Sequence, residues 1–487
     1  MPACNYHVFC ALTDEADPAA GFCILHSPQE DKDPDAFANT MRVHRETKGD
    51  QFDCMVFPKT ADLRNMTFAG GASFFGATFA GLASFRGATF AGKASFVGTT
   101  FAERAVFFGA AFAGEASFVG TTFSGQVDFV NMTFAGVVDF GGATFAGVAD
   151  FGGATFARVA DFGGTIFAGP ATFTNATFSG PATFTNATFS RPATFDKIFF
   201  ASDATFSRSH FFGRALFSPK QVGERQKLPV FSANATVDFR DLVLESPERL
   251  SFRHADFQTC RFLNTDLRKV ELTGAVWPQR GRRRIVYDEI APYAPDEPYP
   301  WEELERLYRE LKQNYDERRN YPRVGDFHYG EKEMQRRNPG TPRSLKVFLW
   351  LYSLVSGYGE RFLRPLFWAG VVLVVGTWAY LWWGLQPKSS EMTVAPARII
   401  APERIITPGI TELFLFPDKS TPPTRLAITN ISDWLSAMNF SLRAMTLLRP
   451  DDLVPVGGAK FVYTLQSLLG PLFLGLFALA VRQRLKH

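Results

Sequence analysis

Phenylalanine recurs between Phe68 and Phe217 with a regularity that few folds accommodate. The interval alternates between six and five residues through 28 consecutive positions without a missed step, so the true repeat is eleven residues. A fixed short period of this kind marks a solenoid. Residues 77–96 read ATF, AGL, ASF, RG, ATF, AGK, ASF. Two residues before each ring stands a small or aliphatic side chain (Ala72, Ala77, Ala83, Ala88, Ala94, later Val127 and Val138), and the residue between is usually polar. Apolar–polar–apolar alternation predicts a very short strand. Gly76, Gly87 and Gly98, or the pairs Ala80-Gly81 and Ala91-Gly92, follow the ring and predict corners. One such unit cannot bury its own ring. The units must therefore coil and stack about 4.8 Å apart, with the rings in internal columns. Phe79, Phe85, Phe90, Phe96, Phe101 and Phe107 exemplify this expected core.

The tandem pattern over Met66 to Phe217 resembles the pentapeptide-repeat family, whose members form a right-handed quadrilateral β-helix. The family's simplest members keep a strict five-residue step. Here every second step carries one extra residue, as in Phe79 to Phe85, which reads as a wider corner on two opposite edges. Four strands per coil then make each coil two eleven-residue repeats long, and the 28 rings fill seven coils. Family members that inhibit DNA gyrase have an acidic surface that mimics DNA. Residues 61–217 hold nine acidic and nine basic residues, so that role is not expected here. Nor does a net charge of +3 over 487 residues call for a nucleic-acid partner. Five cysteines and no apparent secretory signal lead us to expect a reducing compartment.

The expected class is mixed: a β-solenoid, an α-helical connector and two transmembrane helices. Residues 1–60 read as a small separate unit. Cys4, Cys10, Cys23 and His26 follow the pattern C-x5-C-x12-C-x2-H, a reasonable tetrahedral set for a structural zinc. The Phe-ladder solenoid occupies 61–217. Asp128, Asp139, Asp150 and Asp161 recur within it every eleven residues, stacking in pairs on opposite faces. A column that binds a basic partner or a cation and a plain solvated face are the two readings, and the second is preferred. Thr78, Thr89, Thr100, Thr122, Thr133, Thr144 and Thr155 form similar ladders. Such arrays can bind ice but more often simply suit exposed strands. Residues 218–278 read as an irregular loop, then final coils through Phe252, Phe257, Phe262, Leu267, Leu272 and Trp277, with Trp277 and Arg280–Arg284 as cap candidates.

A linker and amphipathic connector follow at 279–365. Leu304, Leu307, Tyr308, Leu311 and Tyr315 share one helical stripe. Asp326, His328, Glu331 and Glu333 raise a metal or acid–base reading that a charged helix face explains as well. This connector looks like the one joining pentapeptide repeats to membrane helices in many bacterial proteins of the family.

The membrane domain is expected over 366–487. Spans at 366–385 and 461–481 are uncharged and each covers about 30 Å. Arg361 and Arg364 precede the first; Arg482, Arg484 and Lys486 follow the second. The positive-inside rule then places both termini in the cytoplasm of an inner membrane, with 386–460 outside. Residues 440–455, FSLRAMTLLRPDDLVP, resemble the pore loop of two-helix potassium channels, with 434–446 as a re-entrant pore helix and Thr446 at its end. Arg449, Pro450, Asp451 and Asp452 stand where that family needs a glycine-rich filter, which implies lost potassium selectivity. No nucleophile–base pair, phosphate loop or paired catalytic carboxylates point to an enzyme. The expected role is a membrane-anchored scaffold for a cytoplasmic protein, in contact with lipid and compatible with homo-oligomers. An atypical channel or channel-like sensor is the alternative.

Overall fold

The computed structural model describes residues 23–29, 31–222, 226–387, 430–448 and 453–485. The chain divides into two compact units, Met1–Asn338 and Pro339–His487.

The first unit is a β-solenoid of parallel strands with helices at its ends. Each strand pairs with the strand one coil on: Thr78 with Thr100, Thr100 with Thr122, Thr122 with Thr144, always two repeats later. Two faces carry nine strands each, and a third runs through ten, from Thr60–Asp62 to Glu271–Thr273. The solenoid is therefore longer than the seven coils counted from the ladder. Its first strand is Val56–Phe57, and Phe52 already heads a column of rings.

Stacking of like rings dictates the architecture. In one column Phe74, Phe96, Phe118, Phe140 and Phe162 follow one another at 4.8–4.9 Å, with ring planes within 9° of parallel. Neighbouring columns meet edge to face, as Phe96 and Phe107 do at 5.7 Å and 84°. Both geometries suit the aromatic quadrupole. The six expected core rings, Phe79 to Phe107, are all fully buried. Thr99, Thr121, Thr165 and Ser209 also point inward, and each hydroxyl donates to a Phe carbonyl, at 2.7 Å for Thr99 to Phe74. No desolvated hydroxyl is left without an acceptor there.

Most wide corners carry glycine, and at Gly114 the reason is steric: a Cβ there would lie 2.5 Å from the Gly92 carbonyl oxygen of the coil before. Glu103, Arg158 and Arg191 stand at the same position in other repeats, so the restriction is not general to these corners.

Residues 218–230 interrupt the ladder differently from the expected loop. Ala215–Val222 and Gln226–Leu228 form an antiparallel hairpin, with Lys220 opposite Leu228. Lys220 Nζ reaches back to Thr177 Oγ1 at 2.7 Å. The ladder resumes at Phe231 and Phe239, earlier than Phe252. The last coil returns to the strict five-residue step and is shorter than those before it, with Phe252 paired to Leu272 and Phe257 under Trp277.

Helices close both ends. Helix α1, Pro34–Lys48, buries Phe37 and His44 and places Arg45 over Phe68. Helices α2, Trp301–Glu317, and α3, Tyr321–Arg337, cover the last coil. Trp277 donates to Tyr315 Oη at 2.8 Å and meets Phe327 edge to face. Asn314 donates to the Leu267 and Val270 carbonyls, and Arg318 also reaches Val270. These side chains satisfy backbone acceptors that the terminal strand edge leaves unpaired.

The second unit holds α4, Arg343–Ser356; α5, Leu363–Trp383; α6, Ile431–Met445; and α7, Ala459–Leu485. Helices α5 and α7 are long and apolar enough to cross a membrane. The short strand Leu385–Pro387 pairs antiparallel with Leu453–Pro455.

Candidate functional site

Helix α6 is the least conventional element of the second unit. It packs against both α5 and α7. Asn430 caps its start by accepting from Ser432 N, and Thr446 ends it, its hydroxyl turned back to the Leu442 carbonyl at 2.9 Å. One face buries Ala437, Phe440, Ser441, Ala444 and Met445; Leu435, Met438 and Leu442 lie on the exposed face. At Gly470 of α7 the helices come so close that a Cβ would strike the Met445 backbone. Glycine therefore sets how deeply the end of α6 can seat.

A buried polar cluster fixes the same assembly. Gln466 Nε2 donates to Ser441 Oγ at 2.7 Å and to the Val372 carbonyl at 2.9 Å, while Tyr380 Oη donates to Gln466 Oε1 at 2.7 Å. Ser441 Oγ in turn donates to the Leu373 carbonyl at 3.1 Å. All three side chains are buried. Gly376 makes room for the amide, since a Cβ there would collide with it. One amide thus ties α5, α6 and α7 together, and each polar atom used has a partner. The sequence reading passed over this cluster. The signal was Gln466 itself, an amide within an otherwise apolar span.

The expected pore-loop residues are only partly within view. Thr446 sits at the α6 terminus as anticipated, and Arg449, Pro450, Asp451 and Asp452 lie outside the described residues.

At the start of the solenoid, Cys23 and His26 lie on one tight turn. The Cys23 carbonyl accepts from His26 N at 3.0 Å and Ser27 N at 2.8 Å. The turn brings Cys23 Sγ within 3.1 Å of His26 Nδ1. His26 Nε2 points the other way, 3.3 Å from the Asp53 carbonyl. Cys4 and Cys10 lie outside the described residues. Among the described residues no group of three or more His, Cys, Asp or Glu side chains gathers as a metal site.

The aspartate ladder pairs as its spacing implied, Asp128 beside Asp150 and Asp139 beside Asp161. Each Oδ1 accepts from a backbone N–H two residues on, at 3.0 Å for Val130 and 2.7 Å for Gly141 and Gly163. This local turn bond accounts for aspartate at the position. The 326–333 acidic group is dispersed into ion pairs. Glu331 meets Lys312 at 2.6 Å and Arg309 at 3.2 Å, and Glu333 meets Arg336 and Arg337. Burial alone would raise Glu331; hydrogen bonds from His328 and Lys312 outweigh it and hold the carboxyl well below its usual range.

The repeat geometry now meets the comparisons. The family described as Pentapeptide repeats (9 copies) matches residues 52–100, 87–133, 129–177 and 162–210, which together run without a gap from 52 to 210. The matched stretch lies within the solenoid, whose repeat is similar to that family's. Here two eleven-residue repeats make one coil, and the wide corners absorb the extra residues. No curated protein and no solved structure matches the chain.

Proposed function

We propose that the protein is a membrane-anchored scaffold whose pentapeptide-repeat solenoid presents its faces to a cytoplasmic protein. The observation carrying this reading is the bare exterior of α5 and α7. Phe367, Val374, Trp378, Leu468 and Leu479 are each more than half exposed. An apolar surface of that extent is unfavourable in water and is what hydrocarbon would cover. The basic residues flanking the pair support cytoplasmic termini in an inner membrane. The even charge of the solenoid supports a protein partner over nucleic acid.

Helix α6 has an exposed apolar face, Leu435, Met438 and Leu442, that self-assembly would cover. Neighbouring copies of α6 supply the cover. Sodium carbonate washing of vesicles carrying the full-length chain tests the anchor: retention supports it, and release into the supernatant overturns it.

A second reading, a channel-like assembly with a lost potassium filter, draws on the seating of α6 between α5 and α7. Ion flux through the reconstituted chain, compared with Arg449→Gly, tests it. A flux altered by the substitution supports a pore at Arg449, and no flux from well-inserted protein removes this reading.

A further inference from the structure

We infer that helix α4 lies in the headgroup layer of a membrane and contacts anionic lipid; the inference rests on the membrane-anchored reading above. The outer face of α4 is apolar. Val347, Phe348 and Trp350 are each more than half exposed, and Leu351 and Leu354 are exposed beside them. Val347, Leu351 and Leu354 form one stripe, on the side away from the buried Leu349 and Ser356. A helix of 14 residues is about 21 Å long, too short to cross a hydrocarbon core of about 30 Å. An apolar face that its own unit leaves bare, on a helix that cannot span, suits the membrane interface, where Trp350 places an amphipathic ring.

The contacts with α5 fix the level at which α4 sits. Arg364, in the first turn of α5, donates from its guanidinium to the Ser353 carbonyl, and Trp368 Nε1 donates to the Leu354 carbonyl at 3.2 Å. Val355 packs against the cluster of Ala369, Met445 and Phe473. A guanidinium resists hydrocarbon, so Arg364 marks the depth at which α5 leaves the headgroups. The last turn of α4 is bonded to it and shares that depth. Phe367, one turn further along α5, is exposed as well, so the lipid that covers α5 is at hand for α4. Charge selects the kind of lipid. Arg343 and Lys346 stand in the first turn of α4, Arg361 and Arg364 follow its last, and Glu360 is the one acidic residue from 339 to 384. Lys346 Nζ donates to the Pro339 carbonyl at 3.1 Å, and an ammonium has two further donors. Basic side chains beside an apolar face fit the phosphates of anionic headgroups.

The test is photocrosslinking of the full-length chain in vesicles of phosphatidylcholine, alone or mixed with phosphatidylglycerol. Leu351→benzoylphenylalanine on α4, Val374→benzoylphenylalanine on α5 and Thr144→benzoylphenylalanine on the solenoid are made in separate chains. Lipid adducts, read by mass, are expected at 374 in both kinds of vesicle and not at 144. At 351 they are expected with a severalfold higher yield when phosphatidylglycerol is present. Arg343→Glu with Lys346→Glu is expected to remove that rise and leave 374 unchanged. Should the double variant fail to insert, raised salt takes its place, and it should shrink the rise at 351 in the chain with its basic residues intact. Three results overturn the proposal and leave the anchor standing: lipid at 374 without lipid at 351, crosslinks from 351 to a second copy or to the solenoid in place of lipid, or a yield at 351 indifferent to phosphatidylglycerol. An absence of lipid at 374 overturns the anchor itself, and this inference with it.

Discussion

At the scale of single residues, the solenoid depends on two kinds of position, the stacked rings and the corners. The rings are one kind. Phe140 is fully buried between Phe118 at 4.8 Å and Phe162 at 4.9 Å. Phe140→Ala should lower the unfolding free energy by about 3–5 kcal/mol, read from urea denaturation of the purified chain. The corner glycines are the other kind, and they differ among themselves. Gly114→Ala forces a methyl into the Gly92 carbonyl, whereas Gly98 has open space and only a positive φ of 65°. Gly98→Ala should cost about 1 kcal/mol and Gly114→Ala clearly more, since the latter must push coils apart. Equal melting temperatures for the two variants would contradict this account. Period alone was enough to place these residues, because a ring every five or six positions has one way of being buried. Phe231 and Phe239 escaped that reading because the hairpin shifts their spacing. Yet residues 235–239, ATVDF, keep the apolar–polar–Phe unit, and searching for the unit instead of the interval finds them.

At the scale of elements, the cap at the end of the solenoid and the helices of the second unit depend on charge and polar groups placed where water is scarce. Glu331 has a folded pKa lowered by its partners, so its stabilisation is complete above the usual glutamate range and is lost as pH falls below about 4.5. Glu331→Gln should therefore destabilise the cap at pH 7 and flatten the acid limb of the melting-temperature profile. Asp288 works in the opposite sense. Burial raises it to about 6 although Phe262 N donates to it at 2.9 Å. Its protonated form is the one the fold prefers, so lowering pH from about 6 towards 4 adds stability at this position. Asp288→Asn, keeping the oxygen acceptor, should raise the melting temperature at pH 7 and remove that gain; a lower melting temperature at pH 7 would contradict this. The stripe of α2 was visible in the sequence as a period near 3.6. Its job as a lid was not, because Asn314 and Arg318 act on carbonyls more than forty residues away in the chain. For the same reason the Gln466 cluster could not be read from spacing. Gln466→Leu leaves Tyr380 and Ser441 short of partners in an apolar setting and should cost about 1–2 kcal/mol, seen as a lower midpoint in detergent unfolding.

At the scale of the whole molecule, the boundary between the two compact units, after Asn338, falls inside the stretch 279–365 that reads in the sequence as one connector. Composition along the chain marks the units on either side of it because strand pairing buries rings inward, while α5 and α7 carry large apolar side chains outward. Composition names no partner for the solenoid, since its outer residues are mostly small and nearly charge-neutral. The most direct test of a membrane-anchored cytoplasmic solenoid is labelling of intact cells with a membrane-impermeant maleimide. One variant carries an added cysteine at Ser420, between the two spans, and another at Thr144, outward on the solenoid; the unaltered chain supplies the background. The account predicts labelling at position 420 in intact cells and at 144 only after permeabilisation. Labelling at 144 in intact cells with 420 protected would contradict it.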